Sequence, residues 1–463
     1  MSEQEKLNKV LQKYPWTHKS FFNRPHWTRR QFFQLTGASV TGAFLAERYA
    51  KAAVVTNSGA KTQNSAKNVI FILLAGAPSH TDTFDLKVVP NVTPTTFNPT
   101  TVNGVMWPAG LMPKLGAQLP NFAIVRSMQA HALVHSLAQT WAQIGRNPAA
   151  VLGNVAPNIG SIVAIEKEGD RLPNQVFPTF LALNSAGGVG GGYLPASYAP
   201  FRVQPSSGGI GNTTNPDGQT RFNGRWGLMH SLDDSLRVNS PDGKPMEDYN
   251  DFYTSAQSMM YNPAVNQAFG FTTADSTRYG NTGFGNACLV ASQVLKAQQG
   301  TRFIQITSND GWDMHSNIYA ANNLPAKGTL LDNGVSALLG DLQANGMLDS
   351  TLVVMVGEFG RTVGALTPAA GRDHLTQQFA FFAGGGVKGG KVVGATNSDG
   401  SDTADYGWSQ GRYVYAEDIE ATIYSAMGID WTSVRHDDPL GRGFEYVPQT
   451  GPFQFAPINE LFS

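Results

Sequence analysis

Residues 351–362 read TLVVMVGEFGRT, and this passage decides the fold class. Thr351 to Val356 is a short apolar run rich in β-branched valine, and Gly357 closes it, so a buried strand is expected. The chain turns polar immediately afterwards, at Glu358 and Arg361. Upstream, Leu324 to Asn345 carries apolar residues at helical spacing. Before it, Thr301 to Ser308, TRFIQITS, reads as another strand and ends in NDGWDMHSN. Strand, helix and strand joined by short connections favour a parallel crossover with helices on both faces of the sheet. Ligands in such sheets lie beyond the carboxyl ends of the strands, which is where the polar residues fall.

The same logic extends outward. Asn68 to Leu74, Phe122 to Arg126, Phe177 to Leu183 and Gln378 to Ala383 are further strand candidates, and the stretch after Asp85 to about 120 reads as loop-rich. Helices are expected after Ser127, from Pro157, and over Glu417 to Gly428, with Asp418 as N-cap and Gly428 as C-cap. Residues 184–225 are rich in glycine, proline and serine, and 226–298 read mostly as helix. Together, about 184–298 is expected as a loop-rich and helical insertion covering one α/β domain of residues 68–463.

The 463 residues carry only 14% charged side chains and a formal charge of -1. No basic face is available to reward a phosphate backbone, so no nucleic-acid partner is expected. Cys288 is the single cysteine, which excludes a disulfide framework and a cysteine-rich metal site; an inert buried thiol is expected. Near the amino terminus, TRRQFF at 28–33 precedes a weakly apolar, glycine-containing stretch that ends at Ala50-Lys51-Ala52. This looks like a twin-arginine export signal. Residues 1–52 are therefore expected as signal or amino-terminal arm and 53–67 as linker. The export machinery is then a partner, and the destination is the periplasm, the cell surface or the exterior.

Four clusters carry candidate chemistry: Ser79, His80, Asp82 and Asp85; Asp310, Trp312, Asp313, His315 and Asn317; Glu358 and Arg361; and Arg372, Asp373 and His374. Carboxylates and imidazoles of this kind hold divalent cations, zinc accepting the nitrogen–oxygen mixture and calcium preferring oxygen. Neither the HExxH protease pattern, a phosphate-binding Walker loop nor a dinucleotide fingerprint is present.

The pieces LLAGAPSHTDTFD, IVRSM with the downstream His135-Ser136, GWDMHSN, LVVMVGEFGRT, GRDH and GGGVKGGKVVGATNSDG resemble those of a bacterial family catalogued as domain of unknown function 1501. The resemblance runs through nearly all of residues 68–430. That family is related to the alkaline phosphatase and sulfatase superfamily, which implies a large, mixed, mostly parallel central sheet flanked by helices on both faces. It also implies metal-assisted hydrolysis of a phosphate or sulfate ester. Carried onto this sequence, Asp82, Asp313, His315, Glu358 and His374 would share one divalent metal (Zn, Ca or Mn). Ser79 or Thr83 would be the nucleophile, Arg361 or Arg372 the anion clamp, and His80 or His135 the leaving-group acid. The substrate would be a small anionic ester or a polymer. The sequence departs from the superfamily at Glu358-Phe359-Gly360, where Asp-His-Gly is usual, so one metal is expected rather than two. The sulfatase Cys-x-Pro-x-Arg motif is absent. The alternative is a non-enzymatic envelope, surface or assembly protein on a hydrolase-like scaffold with a degenerate, metal-free site; under either reading a homo-oligomer is a candidate state.

Overall fold

The computed structural model describes residues 55–185, 187–237, 243–449 and 453–463. The expected export segment, residues 1–52, lies outside the described residues. The chain divides into two compact units, one of residues 1–55 and 435–443, the other of residues 56–434 and 444–463. In the smaller unit the described Arg435–Gly443 turn is held by Asp438. Its carboxylate accepts the Leu440, Arg442 and Gly443 amides at 3.0, 3.2 and 2.8 Å.

The larger unit is built on an eight-stranded sheet. In chain order its strands are β1 (Asn68–Leu74), β2 (Phe122–Gln129), β3 (Phe180–Leu183), β4 (Phe201–Val203), β5 (Phe303–Ser308), β6 (Thr351–Gly357), β7 (Gln377–Ala383) and β8 (Val392–Val393). The spatial order is β8-β2-β7-β6-β1-β5-β3-β4. β1 pairs in parallel with both β5 and β6, and β5, β3 and β4 continue in the same sense. Only β7 is reversed, antiparallel to both β6 and β2. The expected α/β fold with a mixed, mostly parallel sheet is what the chain adopts. The reversal has a local cause: residues 358–376 between β6 and β7 contain no crossover helix, and a parallel return would need one.

Alternate residues of each central strand feed opposite cores. Ile70, Ile72 and Leu74 join Val353, Met355 and Phe381 with the helices Gly283–Ala297 and Leu324–Ala344. Val69, Phe71 and Leu73 join Val354, Val356 and Phe382 with the helices Ile159–Lys167 and Ala416–Ala426. A sheet covered on both faces needs strands that are apolar on both sides, and that is why β1 and β6 read as continuous apolar runs. Cys288 lies fully buried in the first core, and burial pushes its thiol well above the ordinary range.

Three expectations are revised. Of the segment Phe177 to Leu183, only Phe180–Leu183 is strand. The stretch before residue 120, expected as loop, holds the hairpin Pro99–Val102 and Val105–Pro108. Asp418 is not the N-cap of its helix: Tyr415 holds that place, and the Asp418 carboxylate reaches back to the Tyr415 amide at 2.9 Å and pairs with Arg412 at 2.7 Å. Gly428 adopts a φ of 73° just past the helix, a left-handed conformation that glycine takes at little cost.

The same helix carries a measurable pH dependence. Glu420 is buried; its Oε1 accepts the Tyr424 hydroxyl at 2.8 Å, and Oε2 has no hydrogen-bond partner. Burial pushes its carboxyl up to about 8, against the pull of Arg146. The folded chain thus keeps a proton that the unfolded chain releases near its ordinary value of 4.5. The stability this contributes is full below that value and is lost as pH rises towards 8, at up to roughly 1.4 kcal/mol per pH unit. Urea unfolding between pH 5 and 8 should show this slope in the parent chain and a flatter one in Glu420→Gln. Equal slopes would place the titration elsewhere.

Candidate metal centre

The topology brings four chain segments to one edge of the sheet. β1, β2, β5 and β6 run in one direction, so the residues following them share that edge. Because β7 is reversed, the residues preceding it arrive there too. His135 opens the helix His135–Ile144 after β2. Asp313 and His315 follow β5, and Glu358 follows β6. His374 lies in a two-residue ribbon before β7 that pairs Arg361 with His374.

His135, Asp313, His315 and His374 converge, each offering one ligand atom, with those atoms within 4.8 Å of one another. Asp313 Oδ1 lies 3.3 Å from His135 Nε2, 3.0 Å from His315 Nε2 and 3.7 Å from His374 Nε2. The last two Nε2 atoms are 3.1 Å apart. Each imidazole is anchored through its other nitrogen. His135 Nδ1 lies 2.7 Å from Glu358 Oε1, His315 Nδ1 2.7 Å from Asp373 Oδ1, and His374 Nδ1 2.8 Å from the Leu133 carbonyl. An acceptor on Nδ1 fixes the tautomer with its lone pair on Nε2, the arrangement seen around metal-ligating histidines. His135 Nε2 is buried and has no hydrogen-bond partner. Three inward lone pairs and one carboxylate are a donor set for a borderline transition ion and fit zinc or manganese better than calcium.

The electrostatics favour ligand-competent forms. Burial lowers the proton affinity of His374 most, the Leu133 bond opposes this, and Arg361, His135 and His315 add to the lowering. For Asp313, burial acts upward, but the hydrogen bond and charge of Arg361, with His135 and His315, hold it below the ordinary carboxylate range.

Local structure makes the convergence possible. Trp312 Nε1 donates to Ser308 Oγ at 3.0 Å, and that hydroxyl donates to Asp310 at 2.5 Å, which fixes the turn after β5. Gly76 packs against that turn at φ 110°; a Cβ there would stand 2.7 Å from the Asp313 amide. Gly371 packs more tightly still, since a Cβ would collide with the His315 carbonyl. Gly76→Ala should therefore push the Asp313 turn outward and weaken metal binding by more than tenfold. A calorimetric titration with Zn2+ checks this, and unchanged affinity would mean the turn accommodates the methyl.

The remaining expected residues lie around the centre. Glu358, expected as a ligand, turns its Oε1 to His135 Nδ1, the Gly76 amide at 2.9 Å and Gln139 Nε2 at 3.0 Å. Asp82, also expected as a ligand, is fully buried against Arg372, with Nε to Oδ2 at 2.7 Å, and accepts the Tyr319 hydroxyl at 2.8 Å. Ser79 and Thr83 are fully buried: Thr83 Oγ1 donates to the Ser79 carbonyl at 2.7 Å, and Ser79 Oγ lies 3.5 Å from Thr81 Oγ1. His80 is buried with Nε2 on the Gly400 carbonyl at 2.8 Å, and burial lowers its proton affinity.

Both expected anion clamps have their N–H groups engaged. Arg361 reaches the Ala77, Gly76 and Arg372 carbonyls, Asp313 Oδ1 at 2.6 Å and His315 Nε2. Arg372 reaches both Asp82 oxygens, the Thr362 and Gly364 carbonyls and the Tyr319 hydroxyl. A guanidinium has five donors, so neither has one free for an incoming oxyanion. The open cleft beside the centre, about 270 Å³, is lined by Ala75, Gly76, His135, Gln139, Asn309, Gly311 and Asp313.

Gln139, the Leu133 carbonyl and the role of Asp373 as a partner of His315 were not found from the sequence. The adjacency of Asp373 to His374 was the one available signal.

Residues 66–448 match the model of the family described as Protein of unknown function (DUF1501). No curated protein matches. The chain is also similar to several solved structures. The lipoteichoic acid synthase LtaP from Listeria monocytogenes is 13% identical over 84% of this chain and 78% of that one, with a TM-score of 0.35. The PsFucS1 sulfatase from Pseudoalteromonas sp. is 12% identical over 79% and 68%, with a TM-score of 0.38. The phosphonate monoester hydrolase SpPMH from Silicibacter pomeroyi is 12% identical over 86% and 76%, with a TM-score of 0.37.

Proposed function

The chain belongs to the DUF1501 family of proteins of unknown function, and from that premise we propose that it is a metal-dependent hydrolase of a phosphate or sulfate ester acting in the cell envelope. The single observation that carries this is the set of three Nε2 atoms and one carboxylate turned to a common point, each imidazole fixed from behind. A divalent ion held there supplies Lewis acidity toward water and toward an ester oxygen. The chain's own residues do the rest. Glu358, Asp373 and the Leu133 carbonyl orient the imidazoles, and Arg361 keeps Asp313 ionised and aimed. Gln139 and Asn309 line the cleft in which a small ester or the end of a polymer would lie. Water is the nucleophile in this proposal, because the Ser79 and Thr83 hydroxyls are buried away from the cleft. The envelope location rests on the twin-arginine-like TRRQFF at 28–33; among the described residues no helix is long and apolar enough to cross a membrane.

The test is elemental analysis of the purified chain together with a panel of aryl phosphate and sulfate esters, with and without chelator. We expect one zinc or manganese per chain and hydrolysis that chelator abolishes and the metal restores. A chain that stays metal-free after incubation with both ions, or hydrolysis indifferent to chelator, would overturn the proposal. A non-catalytic scaffold is favoured by one observation, the full internal engagement of Arg361 and Arg372. A chain that stays metal-free and turns over no ester would select it.

A further inference from the structure

The cleft beside the metal centre is lined by neither lysine nor arginine. Its side-chain donors are turned into the protein. Gln139 Nε2 and the Gly76 amide both donate to Glu358 Oε1, at 3.0 and 2.9 Å, and Asn309 Nδ2 donates to the Asn184 carbonyl at 3.2 Å. The Ala75 amide donates to the Ser308 carbonyl at 3.1 Å. Each side-chain nitrogen faces an oxygen that can only accept, which fixes both amides with their own oxygens turned away from those partners. An incoming oxyanion therefore meets few donors and several acceptors here.

The charges around the centre point the same way. The carboxylates of Asp313, Glu358 and Asp373 stand 3.0, 2.7 and 2.7 Å from imidazole nitrogens. Arg361, 2.6 Å from Asp313, offsets one of the three, and a divalent ion would offset the other two. Asp310, on the turn that carries Asp313, adds a further negative charge, and Arg372 is paired with Asp82. One positive contribution remains. The helix His135–Ile144 begins at the cleft, and its N-cap, Val134, offers no side-chain acceptor to the first amides; a helix start is worth roughly half a positive charge. That suits one negative charge and leaves a second unmatched among carboxylates. We propose that the site selects singly charged esters, a sulfate ester or a phosphate diester, over the doubly charged phosphate monoester. This narrows the metal-dependent hydrolase reading and rests on it. A phosphate monoester loses its second proton at about pH 6 and so brings two charges at neutral pH. The selection belongs to the chain's own residues: an ion alone attracts the dianion more strongly, and the carboxylates around it repel the second charge.

The test compares phenyl sulfate, methyl phenyl phosphate and phenyl phosphate at about pH 8, where only the last carries two charges. Calorimetric titration of the zinc- or manganese-loaded chain gives their affinities, and the matching p-nitrophenyl esters give kcat/KM. Both singly charged ligands should bind about tenfold more tightly than phenyl phosphate, since like charges brought together at a site are strongly unfavourable. Turnover of the sulfate against the diester tells which of the two the site serves. Asn309 is exposed at the cleft, so Asn309→Lys adds a cation there and should move the preference about tenfold toward phenyl phosphate. A residue that merely shaped the loop would shift all three affinities alike. The parent comparison needs no variant and decides even if Asn309→Lys fails to fold. Phenyl phosphate bound as tightly as either of the others by a metal-loaded chain would overturn the selection and leave the hydrolase reading standing, as would an unmoved preference in a folded Asn309→Lys. Tighter binding of the singly charged pair with no ester turned over would uphold the selection and remove the hydrolysis. A chain that holds no metal would overturn both.

Discussion

Replacing His374 with alanine is expected to lower the affinity of the chain for Zn2+ by about 100-fold. Structural zinc sites bind with roughly 10–16 kcal/mol, so one ligand in four is worth about 3 kcal/mol, and 1.4 kcal/mol is a factor of ten. His374 suits the test because its environment already favours the neutral, lone-pair form. Its Nδ1 is held by a main-chain carbonyl, so no carboxylate loses its only partner when the ring goes. Asp373→Asn should act in the same direction but less strongly, since that carboxylate only orients His315; losing an orienting partner of this kind typically costs 10–100-fold. His230→Ala is the control: that imidazole pairs with Asp234 at 2.6 Å and stands outside the cluster. Competition against a chromophoric chelator reads all three. If His374→Ala binds Zn2+ as tightly as the parent, the four residues are not a metal centre.

How much of this centre could be read from the sequence varies by residue. Asp313, His315 and His374 were legible because each lies in the connection next to the end of an apolar strand, and strand ends are where such folds collect polar groups. His135 was legible only as a candidate acid. Its place among the inward-facing groups depends on Glu358, 223 positions away, and no local spacing encodes that pairing. Glu358 was misplaced for the same reason: a carboxylate at a strand end reads as a ligand until its hydrogen-bond partners are known. Phe359 is the clearest case. In the sequence it stands where the resemblance implies a metal histidine, and it reads as a gap in the site. In the structure its ring packs 4.8 Å from His135 and 4.4 Å from His374. An apolar residue there walls the centre, and the imidazole of His135, at the start of the helix after β2, stands beside it. The reversed β7 was equally hidden, because its apolar run looks the same in either direction.

Asp82 and Arg372 give the largest expected effect on stability. Both are almost wholly buried, and they meet at 2.7 Å. Arg372→Met would leave the Asp82 carboxylate in the core with only the Tyr319 hydroxyl to satisfy it. Removing one partner of a buried pair typically costs 3–5 kcal/mol, so a loss of about 4 kcal/mol is expected. Removing both charges, as in Asp82→Leu with Arg372→Met, should recover much of that loss, because the penalty belongs to the orphaned charge rather than to the missing attraction. Urea unfolding of the parent, the single variants and the double variant closes the cycle. The outcome bears on function as well as on folding. An anion clamp replaced by methionine would leave stability nearly unchanged and weaken substrate binding. A strut would unfold more easily, and any chain that remained folded would show its defect in metal affinity, since Arg372 ties Thr362 and Gly364 to the loop that delivers His374. With all five of its donors engaged inside the protein, Arg372 is expected to behave as the strut, and a stability loss below about 1 kcal/mol would return it to the substrate.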